Sequence, residues 1–131
     1  MKAFVVTTQD RPGELARLGE AMGKAGVNIT ALAGVTGEGK GLIAFVAGDE
    51  AGARGALRAA GIAAKEYEAI KIALADEPGA LGKAARKLAG AGINLEMVLS
   101  TGTSHGKSGV VLAVSDARKA SSLLSDVLAE S

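Results

Sequence analysis

The sequence predicts an α+β protein made of two copies of one β-α-β-β-α-β unit, the first spanning residues 1–67 and the second residues 68–131. Three observations carry this prediction. Asp10-Arg11-Pro12-Gly13-Glu14-Leu15 returns 66 positions later as Asp76-Glu77-Pro78-Gly79-Ala80-Leu81. The same offset holds without a gap through Gly26-Val27-Asn28-Ile29 and Gly92-Ile93-Asn94-Leu95. Around these markers the apolar residues pass from strand-like alternation to helical spacing and back, in the same order in both halves, so the chain is an internal duplication.

In the first half, Phe4, Val6 and Thr8 alternate with Ala3, Val5 and Thr7, giving a strand that ends at Asp10, where Pro12-Gly13 breaks it. Leu15, Leu18, Met22 and Ala25 then recur at helical spacing. Pro12 near the start and Gly26 just past the end bound a helix from Gly13 to Ala25. Val27–Val35 and Leu42–Ala47 are β-prone runs joined by the glycine-rich stretch 37–41, which predicts a hairpin. Asp49 is placed to cap an alanine-rich helix ending at Gly61, and Ile62–Lys65 can close the sheet as a short fourth strand. In this scheme Ala3, Val5, Ile43 and Phe45 fall out of phase with the helix-facing residues and predict a second apolar sheet face.

The second half repeats the order. Ile70, Ile72 and Leu74 share one strand face, a helix covers Gly79 to Ala91, strands cover Ile93–Leu99 and Val110–Val114, and a last helix starts at Asp116 with Leu123, Leu124, Val127 and Leu128 as its buried stripe. Each unit therefore has the split βαβ order of ferredoxin-like folds, an antiparallel sheet with both helices on one face. The second unit is expected to lack its own fourth strand. Its open sheet edge would then be covered by the other repeat or by a second chain.

Composition narrows the functions. Fifteen Lys and Arg against fourteen Asp and Glu leave a net charge of +1, which offers no field for nucleic acid or anionic lipid. Phe4, Phe45 and Tyr67 are too few for a base-stacking platform. With no cysteine there is neither a disulfide framework nor a thiolate metal site, and the apolar run Ala3–Val6 is too short for a signal peptide or membrane span, so a cytoplasmic protein is expected. Units of about 65 residues bury only about 60% of their unfolded surface, so packing on a twin or a homodimer is expected.

The repeated turn carries the chemistry. The amides of Gly13, Glu14 and Leu15 open a helix, lack intrahelical acceptors and suit a small carboxylate, while glycine lets a ligand approach the backbone. Asp10 just before the turn can hold a cationic amine, and the Asn28 amide can both donate and accept. Carboxylate, amine and two-way amide together describe an amino-acid zwitterion. The same parts recur as Gly79, Ala80 and Leu81, with Asp76 and Asn94. Structural roles fit the same residues: Asp10 and Asp76 as helix caps or turn formers, Asn28 and Asn94 as turn residues with a tolerant backbone.

The set D-x-P-G-x-L, a helix, then G-[VI]-N-[IL], on a βαββαβ order, resembles the ACT domain family of small-molecule regulatory modules, and the resemblance covers nearly the whole chain twice. It implies binding of an amino acid or similar metabolite at interfaces between ACT units, with the strand-to-helix loop of one unit as the site and its neighbour closing the pocket. Carried over by position, the ligand contacts are Asp10, Gly13, Glu14, Leu15 and Asn28, then Asp76, Gly79, Ala80, Leu81 and Asn94. Some serine-sensing members also use a histidine two residues before the Asp; this chain has Thr8 and Leu74 there. Family members are usually attached to the enzyme they regulate, so a metabolic enzyme or other regulated protein is the implied partner.

Other chemistries are poorly supplied. Gly102-Thr103-Ser104-His105-Gly106-Lys107-Ser108 approximates a phosphate-binding loop but is one residue short and leads into a strand, so it reads as a hairpin loop with His105 solvated. His105 is the lone histidine, and no Ser-His-acid set, catalytic residue, metal site or cofactor is expected. The alternatives to a regulatory sensor are a ligand-free protein interaction module using the sheet face and open edge, and a small ferredoxin-like hydrolase.

Overall fold

The computed structural model describes residues 1–129. They form β1 (Lys2–Gln9), α1 (Glu14–Lys24), β2 (Ile29–Gly37), β3 (Lys40–Ala47), α2 (Glu50–Ala59), β4 (Ala64–Ala75), α3 (Ala80–Gly90), β5 (Leu95–Ser104), β6 (Lys107–Val114), α4 (Ala117–Leu123) and β7 (Leu128–Ala129). The chain divides into one unit of Lys2–Glu66 and another that runs on from Tyr67 and includes Met1. The fold class is α+β, with antiparallel strand pairing in both units.

In the first unit β3 pairs with both β1 and β2, and its register places Phe4 opposite Phe45 and Val6 opposite Ile43. Directly opposed residues share a sheet face. Phe4, Val6, Ile43 and Phe45 therefore point together into a core with Leu18 and Met22 of α1 and Ala53 and Leu57 of α2. This corrects the expectation that Ile43 and Phe45 join Ala3 and Val5 on the far face. In the β1–β3 register Val5 faces Ala44, so the even residues of β1 and the odd residues of β3 share the helix side. Asp49 caps α2 by accepting from the Gly52 amide at 2.8 Å.

The second unit repeats this arrangement with aliphatic residues. Ile70 faces Leu112 and Ile72 faces Val110 across β4 and β6, and they pack with Leu88 of α3 and Ala120 of α4. Two expectations are corrected here. Helix α4 ends after seven residues, at Leu123, and the chain then turns so that Leu128–Ala129 pairs antiparallel with Ile72 and Lys71 of β4. The unit thus has its own short fourth strand. Leu124 is buried while Leu128 is 45% exposed, because Leu128 lies on a strand rather than on a helical stripe. The stretch 102–108 is a hairpin with His105 exposed, and its loop is short: β5 and β6 extend to a two-residue turn, His105-Gly106, with positive φ at both residues, the signature of a type I′ hairpin.

The duplication holds in three dimensions, with one displacement. The starts of α1 and α3, and of β2 and β5, are 66 residues apart, whereas β3 and β6 start 67 apart. The extra residue is Thr101, taken up by a bulge between Ser100 and Gly102 that β2 lacks. Beyond the bulge the apolar pair Val35–Leu42 of the first hairpin is replaced by Gly102–Gly109. The Thr101 hydroxyl fills the space that a side chain on Gly109 would take.

Candidate ligand-binding site

Each strand-to-helix turn is built in the same way. Gly13 and Gly79 are the N-caps of α1 and α3, both left-handed at φ 97° and 89°, a conformation that costs little only for glycine. Neither cap supplies a side-chain acceptor, so the first-turn amides of both helices lack the partner that Asp or Ser would give. Asp10 and Asp76 are thereby freed from the capping role. They sit three residues before the caps and are exposed, their amides anchored to the Gly39 and Gly106 carbonyls at 3.2 and 2.9 Å. Those carbonyls belong to the hairpin turns, so each hairpin tip fixes the position of its acidic residue.

A cleft opens beside each turn, and the two clefts occupy equivalent places. The first, about 370 Å³, is lined by Asp10, Glu14 and Leu15 from the turn and by Leu32, Gly34 and Ile43 from the hairpin, among others. The second, about 230 Å³, is lined by Asp76, Ala80 and Leu81 and by Val98, Ser100 and Val110 at the matching positions. Leu15, Leu32, Leu81 and Val98 are all between 43% and 53% exposed, an apolar wall that solvent alone does not favour. Each cleft therefore combines a carboxylate, an uncapped helix start and apolar side chains in one small volume.

The expected contacts divide accordingly. Asp10, Glu14 and Leu15, and Asp76, Ala80 and Leu81, line the clefts. Gly13 and Gly79 shape the turns. Asn28 and Asn94 stand elsewhere: each precedes its strand at the far end of the hairpin, where Ile29 faces Ala47, whereas Asp10 lies beyond Gly41. Seven residue steps of β3 separate Ala47 from Lys40, the partner of Gln9 just before Asp10, about 23 Å along a strand. The backbone N–H of Asn94 donates to Ser115 Oγ at 3.1 Å.

The charges at the two turns differ. In the first, Arg11 Nε donates to Glu14 Oε1 at 2.6 Å, so these two satisfy each other and leave Asp10 as the uncompensated charge. In the second, Glu77 and Ala80 replace that pair, and Asp76 and Glu77 make the cleft more negative. The hairpin also contributes side chains that sequence reasoning did not single out. Leu74 brings no polar group, but Ser108 stands opposite it across β4 and β6, and Ser100 lies further along the floor. Ser100 aligns with Gly34 at the 66-residue offset, and Ser108 aligns with Gly41 once the one-residue shift is allowed. Among the described residues no cluster of three or more His, Cys, Asp or Glu could hold a metal ion. No helix there is long and apolar enough to cross a membrane.

No protein-family model matches the chain, and no curated protein matches it in sequence. Solved structures share its fold. A protein from Bacteroides thetaiotaomicron superposes with a TM-score of 0.85 at 23% identity, covering 98% of this chain and 90% of that one. The ligand-free regulatory subunit of aspartate kinase from Thermus thermophilus follows with a TM-score of 0.69 at 22% identity, covering 96% and 90%. Aspartate kinase from Synechocystis matches at a TM-score of 0.67 and 25% identity, over 99% of this chain but only 26% of that enzyme.

Proposed function

We infer that this chain, whose fold is that of a tandem pair of ACT units, is a non-catalytic regulatory protein that binds a free amino acid or similar small metabolite at the turn of each unit. One observation carries the reading: two equivalent clefts both set an exposed carboxylate beside a helix start that no side chain caps. The ligand's carboxylate would take the amides of residues 13–15 or 79–81, favoured by the helix dipole, and its ammonium would meet Asp10 or Asp76. The exposed apolar walls support closure of each cleft by a further ACT unit, such as that of a second copy in a homodimer. Asn28 and Asn94 would then reach a ligand from the closing unit rather than from their own.

Ligand that bridges two units favours one arrangement of them over another, and that difference is what a regulated partner would read. A metabolic enzyme in the cytoplasm is the proposed partner; the regulatory subunits of aspartate kinase that share this fold supply the analogy. Thermal unfolding followed by circular dichroism, suited to a chain without tryptophan, tests the reading against the twenty amino acids. A ligand at about one hundred times its Kd adds about 2.7 kcal/mol and raises Tm by several degrees. A flat panel would sink the sensor and favour an interaction module whose apolar walls serve a protein partner.

A further inference from the structure

We propose that the helical face of the second unit docks an acidic surface of the protein that this chain regulates; the regulated role rests on the reading above, the surface does not. The net charge of +1 is unevenly spread. Helices α1 and α2 carry three acids, Glu14, Glu20 and Glu50, against four bases. Helices α3 and α4 carry no acid and five bases, Lys83, Arg86, Lys87, Arg118 and Lys119, all of them exposed. Both α2 and α4 have an Asp as N-cap, so the caps do not change the contrast.

These cations form one surface. Lys83, Arg86 and Lys87 recur at i, i+3 and i+4 and so share one side of α3. Lys119 Nζ donates to the Ala91 carbonyl at 3.2 Å, which seats the start of α4, with Arg118, against the end of α3. Among the described residues the one ion pair in this group joins Lys87 to Asp126 at 3.7 Å, and because both side chains are open to solvent it contributes little. The arrangement also works against the helix that carries it. In α1, Glu20 precedes Lys24 by four residues, a stabilising spacing; 66 positions on, Glu20 becomes Arg86 and Ala21 becomes Lys87, which sets like charges at Lys83–Arg86 and Lys83–Lys87. Carboxylates from a partner relieve that repulsion, and complementary charge both speeds and orients their docking. A protein fits this face better than a nucleic acid does. Helix α3 spans about 16 Å, the length of a short acidic segment, and Asp76 and Glu77 just before it would repel a phosphate backbone running on past its start.

Fluorescence anisotropy of the full chain with a labelled alanine peptide carrying Glu at helical spacing tests the surface. The peptide should bind at low salt and be released in about 0.5 M salt. Lys83→Gln, Arg86→Gln and Lys87→Gln together should weaken it about tenfold, whereas Lys24→Gln, Lys40→Gln and Arg58→Gln, which lower the net charge equally from the first unit, should change it by less than about twofold. Arg86→Glu, which restores the residue type of α1, should alone weaken it about threefold. Equal losses in the two triple variants, absence of peptide binding, or tighter binding of a DNA duplex than of the peptide would overturn the proposal. Each of these results leaves the amino-acid reading standing, since none of the substituted residues lines either cleft.

Discussion

The rings of Phe4 and Phe45 stack with centroids 5.1 Å apart and planes 15° from parallel, joining the two central strands of the first unit beneath its helices. Both are fully buried. Phe45→Ala removes one ring of the pair and leaves a cavity bordered by Leu18, Met22 and Leu57, which does not collapse easily because the sheet is held by its ladder. The expected loss is about 3–5 kcal/mol, read as a lowered midpoint in urea denaturation. The second unit has Ile70 and Leu112 at this place, so Leu112→Ala should cost less, about 2–5 kcal/mol, without the ring-stacking term.

Glycine at the start of α3 is held by backbone conformation alone. Gly79 has φ 89° and no heavy atom within 4 Å of where a Cβ would sit. Gly79→Ala should therefore cost about 1–2 kcal/mol through left-handed strain, with no clash to relieve. Gly19, in the exposed middle of α1, has equal space and ordinary helical conformation, so Gly19→Ala should stabilise by up to about 1 kcal/mol. Paired Tm measurements check both signs.

Acid should loosen the first unit through one ion pair. Arg54 donates two hydrogen bonds to Glu66, at 2.8 and 2.6 Å, linking α2 to the first residues of β4. That hydrogen bonding holds the Glu66 carboxyl below its ordinary value, against a smaller opposing effect of burial. A lowered folded-state pKa means that the unfolded chain takes up the proton first. The stabilisation is therefore complete above the ordinary Glu value, about 4.3, and fades as pH falls below it. Glu66→Gln should flatten the stability profile between about pH 5 and 3 relative to the parent, and because the pair is exposed the effect should be small and shrink in salt.

Helix α4 depends on its cap more than a longer helix would. It has seven residues, and Asp116 accepts from the Lys119 amide at 3.0 Å. Asp116→Ala should cost about 1 kcal/mol. Its mark would be faster amide exchange in 117–123 and in the β7 segment that follows, with α2 unaffected.

Legibility in the sequence varied with the range of the interaction. The ends of α1 and α3 and both hairpins were readable because capping glycines, helical spacing and turn residues act over a few positions. The face on which Ile43 and Phe45 lie was not, since it depends on which residue of β1 each one opposes, a distance of some forty positions along the chain. The strand Leu128–Ala129 was missed for a related reason: two residues carry no alternation, and only the edge of β4 makes them a strand. At the clefts, Asp10 and Asp76 were found through the repeat. Ser108 escaped because the one-residue shift at Thr101 moves it off the offset that aligns everything before it, and Ser100, although at the plain offset from Gly34, carries no turn or cap signal of its own.

That bulge has an evolutionary reading. A duplicated gene normally diverges by substitution, each change tried against an otherwise fixed frame. A single inserted codon in a hairpin arm would ordinarily throw every later side chain to the wrong side of the sheet. Here the extra residue is absorbed at the bulge, and the arm resumes its alternation with glycines at 102 and 109. The two copies thus differ by one residue in this arm while keeping the same alternation on either side of it and the same fold.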